Sequence, residues 1–237
     1  MSLRPPKLKA TPPERITMRH IGGRILASFD LEKGLLYTFW SLTVAPGKAL
    51  REYLFEDRSR MVKPMRLLLL MVAISTLVSL QVVSNVNGAE TPEMIPVDAL
   101  PELWKENATS LNALFLKYFN VLQLLKVPLY ALATFWFFKK QQYFFAEHLV
   151  INAYIFSYQS FWITVLLPVI LLSSKLGIGL VTLFLFGYIT FVFIQLFGDR
   201  PFVSFLKCVA VYTVTNILHA VLVFGIVLLL LATGVIT

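Results

Sequence analysis

The sequence has few cysteines and few charged residues, and both shortages narrow the classes of protein it can encode. Cys208 is the one cysteine among 237 residues, so neither an internal disulfide nor a cysteine-based metal site can form. Only 14% of the residues are charged, where soluble domains carry roughly 25%. With 57% hydrophobic residues, the composition excludes disordered, collagen-like and coiled-coil chains and argues against an ordinary soluble globule.

Several catalytic and nucleotide-binding patterns are also missing. Gly22-Gly23 is isolated, and the chain contains no phosphate loop, dinucleotide loop or serine elbow. No H-E-x-x-H spacing is present, so we expect no metal and no cofactor. The basic N-terminal residues lack interleaved aromatic residues, so we expect no nucleic-acid partner. These absences favour a protein that is not an enzyme.

Long apolar blocks are what the sequence does have. A membrane-spanning helix needs about 20 predominantly apolar residues. Blocks of this kind predict an all-α, polytopic membrane bundle of about five transmembrane helices, at residues 67–86, 114–138, 149–173, 176–197 and 209–233. A tight turn at residues 173–177 predicts that the third and fourth spans form an antiparallel hairpin.

The residues before the first span divide into two segments. Residues 1–20 are rich in proline and lysine, which predicts a disordered basic tail. Residues 21–66 predict a collar of two short amphipathic helices, at about 24–44 and 48–60, separated by Pro46-Gly47. Such a basic helix beside a span is expected to lie in the headgroup layer. The alternative is a soluble cap packed on the membrane domain of residues 67–237.

The distribution of charge predicts the orientation. Thirteen of the 21 Lys and Arg residues lie in the first 66 positions, whereas the loop at 87–109 contains five acidic residues and only Lys105. Because cytoplasmic loops carry an excess of Lys and Arg, the N-terminus is expected in the cytoplasm and the 87–109 loop outside. Five crossings would then place the C-terminus outside.

One segment of the chain is similar to a known family. Residues 29–64 read FDLEKGLLYTFWSLTVAPGKALREYLFEDRSRMVKP and resemble bacterial membrane proteins catalogued as domain of unknown function 3667. The residues that carry the resemblance are Lys33-Gly34, Tyr37-Thr38, Pro46-Gly47, Arg51-Glu52-Tyr53-Leu54, Arg58, Arg60 and Pro64.

A second stretch, residues 143–161, is similar to the Glu-His opening of a middle span in that family. The resemblance implies a multi-pass protein of the bacterial inner (cytoplasmic) membrane and supplies no activity. Many members carry an N-terminal zinc ribbon of four cysteines, which this chain lacks. No zinc site is therefore carried over.

Polar residues within the predicted spans are candidates for function, because a lysine at mid-helix costs about 2.5–3.5 kcal/mol on insertion scales. Lys126 lies near the middle of the second predicted span. Without an acid deep in any span, Lys126 is neutral, extends its ammonium to the interface, or pairs with an external anion. We predict a polar interior formed with residues of the second and fifth spans: Asn120, Gln123, Tyr130, Asn216 and His219.

Basic residues crowd the predicted cytoplasmic ends of the spans. Each cation near an anionic surface contributes about 1 kcal/mol to membrane binding. The predicted lipid-headgroup residues are Arg51, Arg58, Arg60, Lys63, Arg66, Lys139, Lys140 and Arg200. A membrane lipid with an anionic headgroup is the expected partner.

Three further residues, Glu147, His148 and Asp199, are candidates at the cytoplasmic interface. They support the hypothesis of an intramembrane enzyme that uses Glu147 and His148. The leading hypothesis is a non-enzymatic protein that binds an anionic lipid or small anion, for transport or as an accessory to a membrane complex. A structural or regulatory subunit, bound to a membrane-protein partner or to a second copy, is the remaining alternative.

Overall fold

The computed structural model describes residues 31–85, 122, 124–172 and 174–232. These residues form seven α-helices and one short 3-10 helix, Lys139–Gln141, and that part of the chain contains no strand. The all-α class is therefore as predicted. The helices are α1 (Leu31–Val44), α2 (Pro46–Phe55), α3 (Pro64–Asn85), α4 (Lys126–Phe137), α5 (Phe145–Leu172), α6 (Ser174–Phe197) and α7 (Pro201–Ala232).

Three of these helices are long and apolar enough to cross a membrane, by length and composition. The qualifying stretches are Phe145–Leu167 in α5, Gly179–Phe197 in α6 and Pro201–Ile226 in α7. Two shorter apolar stretches, Gly34–Val44 and Pro64–Val78, lie in α1 and α3. The structure thus supports a membrane protein with three candidate spans. The first half of the predicted second span lies largely outside the described residues.

Proline and a side-chain turn fix the ends of the short helices. Pro46 occupies the first turn of α2, where its missing N–H costs no helical hydrogen bond. Pro46-Gly47 therefore starts the second helix as well as ending the first. The helix predicted at 48–60 stops at Phe55, because Asp57 accepts a hydrogen bond from the backbone N–H of Ser59 at 2.8 Å and forms a turn.

The pair α5 and α6 forms the predicted antiparallel hairpin. Tyr158 of α5 stacks on Tyr188 of α6 with ring centroids 4.2 Å apart. One turn further along α5, Trp162 meets Phe184, one turn earlier in α6, at 5.6 Å. Helix α5 also packs on α3 and α4, and α7 packs on α4 and α6. The hairpin is therefore the centre of the described bundle.

The segment formed by α1, α2 and the link to α3, residues 31–63, is packed into the same core. Leu42, Leu50 and Val62 are fully buried in one cluster with residues of α5 and α6. The Tyr154 hydroxyl donates to the Val62 carbonyl at 2.7 Å, and the Tyr188 hydroxyl donates to the Leu42 carbonyl at 3.1 Å. The inner face of this segment thus packs against the hairpin of α5 and α6.

Candidate functional site

The segment of residues 31–63 is held to the bundle first by contacts within itself. The Thr38 hydroxyl donates to the Gly34 carbonyl at 2.6 Å and accepts from the Val62 backbone N–H at 3.0 Å. A Cβ at Gly34 would stand 3.1 Å from the Arg60 carbonyl oxygen. Helix α1 and the link to α3 therefore approach too closely for most larger residues at position 34.

The contact of α2 with the end of α6 uses Arg51 as a helix cap. Its guanidinium donates to the carbonyl oxygens of Gln195 at 2.7 Å and Leu196 at 3.0 Å. The last carbonyls of a helix have no intrahelical partner, and a cation there is favoured by the helix dipole. Arg51, predicted to bind lipid headgroups, is thus occupied within the protein.

Two more of the predicted headgroup cations also have partners within the chain. Arg58 donates to the Leu54 carbonyl at 3.2 Å. Arg60 forms ion pairs with Glu52 at 3.2 Å and Asp57 at 3.4 Å. A hydrogen bond with Tyr37 and the charge of Glu52 raise the pKa of Arg60 above its ordinary value, so it stays charged. Arg58 and Arg60 therefore serve the link between α2 and α3.

The carboxylate of Asp57 is stabilised by the turn that it forms. Both the hydroxyl and the backbone N–H of Ser59 donate to it, at 2.7 and 2.8 Å. These hydrogen bonds, and then the charge of Arg60, lower the pKa of Asp57 below its ordinary value. The turn after α2 is thus built around an ionised side chain.

The remaining predicted headgroup residues stand at helix ends. Lys63, Lys140 and Arg200 are exposed, and the described part of the chain offers them no ion pair. Lys139 is exposed and its ammonium lies 5.9 Å from the centre of the Trp136 ring, while Arg66 is half-buried. Lys63, Lys139, Lys140 and Arg200 are therefore open to a ligand outside the chain, whereas Arg66 already has an interaction within it.

The 3-10 helix brings the ends of α4, α6 and α7 together. Gln141 donates to the Phe197 carbonyl at 3.2 Å and to Asp199 at 3.3 Å. Asp199 also pairs with Lys207 of α7 at 2.6 Å, whose ammonium lies over the Phe138 ring at 4.7 Å. Asp199, a candidate at the interface, is therefore committed to an ion pair between neighbouring helix ends.

Glu147 is a helix cap. Its Oε2 accepts a hydrogen bond from the backbone N–H of Phe144 at 2.7 Å, just before the first turn of α5. A glutamate three residues into a helix that reaches back to the N-cap N–H is one half of a capping box. Glu147 thus satisfies a backbone donor that α5 leaves open.

His148, predicted as a candidate at the cytoplasmic interface, is buried within the protein. Its side chain is 0% exposed, and its Nδ1 lies 3.1 Å from the Thr134 hydroxyl oxygen. That hydroxyl donates to the Tyr130 carbonyl at 2.8 Å and accepts from Asn152 at 2.9 Å. With that proton directed to its own helix, the tautomer that completes the network is the one in which Nδ1 of His148 donates to Thr134. The rings of Phe135, Tyr143 and Phe197 surround the imidazole.

Glu147 and His148, although adjacent in sequence, therefore have separate structural roles. One caps the start of α5, and the other joins α5 to α4 beneath a layer of aromatic rings. Burial raises the pKa of the neighbouring Tyr143 phenol, which keeps it neutral. Within the described residues, no group of three His, Cys, Asp or Glu side chains lies together, and Cys208 is buried.

In the structure, the residues of the predicted polar interior have different partners. His219 of α7 hydrogen-bonds to the Leu122 carbonyl at 3.0 Å and lies close enough to Lys126 to interact with its charge. Tyr130 likewise faces α7. Asn216, in contrast, donates to the Tyr212 carbonyl of its own helix. Asn120 and Gln123 lie outside the described residues, so His219 and Lys126 are the one pair of the predicted polar interior that the described residues bring near each other.

Sequence reasoning missed a groove on the side of the α5–α6 hairpin. The groove has a volume of about 770 Å³. Its signal in the sequence was the spacing of Tyr158, Trp162 and Leu166, which repeats every four residues along α5. Residues of α1, α5 and α6 line it: Thr43, Tyr158, Trp162, Leu166, Leu180, Val181, Leu183, Phe184, Gly187, Tyr188 and Phe191.

The contacts of residues 31–63 fall where the chain is similar to a known family. The family model described as Protein of unknown function (DUF3667) matches residues 32–76. The match covers most of α1, all of α2, the link and the first half of α3, and it confirms the resemblance seen at Gly34, Thr38, Gly47 and Arg51. No curated protein and no solved structure matches the chain.

Proposed function

We propose that this protein is a multi-pass protein of the bacterial inner membrane that binds a lipid with an anionic headgroup at its cytoplasmic surface. The observation that carries the proposal is the set of exposed cations at the helix ends nearest to residues 31–63. Lys63 precedes α3, Lys139-Lys140 follow α4, and Arg200 precedes α7. No acid of the described chain pairs with these side chains.

The proposed orientation follows from the same residues. Cytoplasmic flanks of membrane helices carry an excess of Lys and Arg. The ends of α4, α6 and α7 are joined by Gln141, Phe197 and Asp199, so the cations near them lie on one side of the bundle. The N-terminus and these helix ends would then face the cytoplasm, with the C-terminus outside.

The outer face of α1 is apolar, as contact with lipid requires. Leu36 and Trp40 are 87% and 71% exposed, while Leu42 on the inner face is buried. Phe39 of the same helix packs on Phe161 within the candidate span of α5, so this face would meet acyl chains. Residues 31–63 would thus form a collar that is packed on the bundle and also touches lipid.

The magnitude of the electrostatic attraction is sufficient for selective binding. Four cations at about 1 kcal/mol each give about 4 kcal/mol, which is on the order of a thousandfold in affinity. Arg51, Arg58 and Arg60 are excluded from this sum because their guanidinium groups have partners in the chain. The selectivity should weaken with salt, since exposed charges are screened.

Native mass spectrometry of the protein in detergent with added phosphatidylglycerol or phosphatidylcholine tests the proposal. Wild type is expected to retain phosphatidylglycerol, and a variant with Lys63, Lys139, Lys140 and Arg200 all changed to Gln is expected to lose it. Lys140→Gln and Arg58→Gln each remove one cation and form a matched pair. Lys140→Gln should weaken the retention of phosphatidylglycerol more, because Arg58 is used within the chain. Equal retention of both lipids by wild type would contradict the proposal.

A small anion near Lys126 remains an alternative ligand. His219 of α7 lies close enough to Lys126 of α4 to interact with its charge, and no acid of the described residues pairs with Lys126. Loss of a retained small anion in Lys126→Ala, with phosphatidylglycerol unchanged, would favour this alternative. The enzyme hypothesis receives no support from the geometry, because Glu147 and His148 have separate structural roles.

The subunit hypothesis is favoured by one observation, the exposure of α7. Only 11% of its most apolar window is buried, against 44% for α5 and 39% for α6. Phe202, Val221 and Phe224 are among its exposed apolar side chains. A protein partner that is retained on gentle extraction and cross-links to α7 would favour the subunit hypothesis over lipid binding.

A further inference from the structure

The groove on the α5–α6 hairpin has the dimensions of one leaflet of membrane hydrocarbon. Along α6 its lining runs from Leu180 to Phe191, which is about 16 Å at 1.5 Å per residue. Half of a hydrocarbon core is about 15 Å thick. Its volume of about 770 Å³ lies within the range of small-ligand sites, roughly 300–1,000 Å³.

We propose that this groove binds one acyl chain of a membrane lipid, whatever the headgroup of that lipid. The walls lie on the two stretches of α5 and α6 that qualify as membrane spans, so they face hydrocarbon if the hairpin crosses the bilayer. Leu180, Leu183 and Phe191 are exposed there. The site assigned here is separate from the cations at the helix ends.

The lining favours an apolar ligand. Apart from three hydroxyl groups and the Trp162 indole N–H, its side chains are aliphatic or aromatic. The Thr43 and Tyr158 hydroxyls lie 3.1 Å apart and bond to each other, and the Tyr188 hydroxyl donates to the Leu42 carbonyl. The Trp162 N–H is already buried without a partner among the described residues, so an acyl chain that covers the groove breaks no further hydrogen bond.

The shape of the groove favours a chain over a spanning helix. Thr43, next to the end of α1, stands at one end of the groove, so α1 blocks the seam between α5 and α6 on that side. A helix that crosses the bilayer needs about 30 Å of contact surface, and the seam offers about half of that. An acyl chain matches the available length and bends around Thr43.

Gly187 makes the groove deep at its centre. A Cβ added there would meet no heavy atom within 4 Å, so a larger side chain would project into open space within the groove. Gly179, on the same helix, also has no atom within 4 Å of an added Cβ, and it does not line the groove. The two glycines therefore give a matched pair of substitutions.

Photocross-linking tests the proposal. The full-length protein is placed in vesicles of phosphatidylcholine that contain phosphatidylcholine with a diazirine in one acyl chain. We expect cross-links on peptides that contain Trp162–Leu166 and Leu183–Gly187. Gly187→Phe should reduce them at least about tenfold, because excluding a few methylenes from apolar contact costs that much affinity. Gly179→Phe should leave them unchanged.

Other outcomes would overturn the proposal. Equal labelling in wild type and Gly187→Phe would mean that the acyl chain contacts the outer surface of the hairpin and does not enter the groove. Cross-linking of the groove to a second protein chain would assign it to a helix. Leu180→Trp, which narrows the exposed end of the groove, provides a second test if Gly187→Phe does not fold. Unchanged labelling in a folded Leu180→Trp protein would count against the proposal.

The experiment separates this proposal from the proposed binding of an anionic headgroup. The groove should be labelled equally by diazirine-bearing phosphatidylcholine and phosphatidylglycerol. The variant that lacks the four cations should lose the retention of phosphatidylglycerol and keep the labelling of the groove. Labelling that requires phosphatidylglycerol would show that the headgroup holds the chain, and would overturn an independent acyl-chain site.

Discussion

Gly47 lies directly against Gln195, where α2 meets the last turn of α6. The Gly47 backbone N–H donates to Oε1 of Gln195 at 3.1 Å. A Cβ at position 47 would stand 2.5 Å from Cβ of Gln195 and 2.6 Å from its carbonyl carbon. Real side chains do not approach this closely, so the contact requires glycine. The Pro46-Gly47 pair is therefore a docking point as well as a turn.

Gly47→Ala is expected to destabilise the protein by about 1–3 kcal/mol, the usual cost of overpacking a close contact. Unfolding of detergent-solubilised protein by titration with SDS would measure the change. Gly179→Ala is the control, because open space surrounds position 179 and alanine favours helix there. If Gly47→Ala were as stable as wild type, α2 would not be docked on α6 in this way.

Arg51→Gln is expected to lower the free energy of unfolding by about 1–2 kcal/mol, because two carbonyls at the end of α6 lose a charged donor. The side chain is exposed, so the effect should lie toward the lower end. Lys48→Gln, one turn away and also exposed, should change stability by less than about 0.5 kcal/mol. SDS titration without added lipid measures the cap alone. A loss of stability seen only with anionic lipid would instead indicate that Arg51 binds a lipid headgroup, as the sequence predicted.

The elements of the fold were largely predictable, because apolar blocks and proline positions are local signals. The hairpin of α5 and α6 follows from two apolar blocks joined by a short turn. The docking of residues 31–63 did not follow, because it depends on pairs distant in sequence. Thr38 with Val62 and Arg51 with Gln195 are such pairs. A single sequence gives no measure of which cation will find an internal carbonyl.

The candidate site was predicted less well, for the same physical reason. Residue type and position along a span predicted that Lys126 and His219 share a polar interior, and the structure brings His219 close enough to Lys126 for the two charges to interact. Periodicity did not show that His148 would be enclosed by three aromatic rings from α4, α6 and the link before α5. The groove was missed because it is a volume left between helices, and no single residue marks it.

Low pH should remove the contribution of Asp57 to stability. Hydrogen bonds from Ser59 lower the pKa of the carboxyl in the folded protein, so ionised Asp57 stabilises the fold above its unfolded pKa of about 3.9. That contribution is lost as the pH falls through the lowered pKa. The difference in Tm between wild type and Asp57→Asn should be constant above about pH 5 and shrink in more acidic solution. A difference that grows toward low pH would contradict this assignment.

Tyr154→Phe should uncouple α5 from the link between α2 and α3. The substitution removes the donor to the Val62 carbonyl and leaves that carbonyl buried without its partner. The expected cost is about 1–3 kcal/mol, measured as the free energy of unfolding. Tyr212→Phe is a suitable comparison, because Tyr212 is 42% exposed and its ring contacts do not need the hydroxyl. Equal costs for the two variants would rule out a special role for the Tyr154 hydroxyl.

Thr134 is the residue on which the contact of α4 with α5 depends. Thr134→Val keeps the shape of the side chain but removes the acceptor of Nδ1 of His148 and of one N–H of Asn152, whereas the other N–H of Asn152 keeps its bond to the His148 carbonyl. Each buried donor left unpaired costs about 1–3 kcal/mol, so we expect a loss of about 2–4 kcal/mol in SDS titration. Thr134→Ser should restore most of it by restoring the hydroxyl. Thr76→Val controls for the loss of a hydroxyl that donates to the Val72 carbonyl of its own helix. If Thr134→Val and Thr76→Val lower the free energy of unfolding equally, His148 has an acceptor other than Thr134.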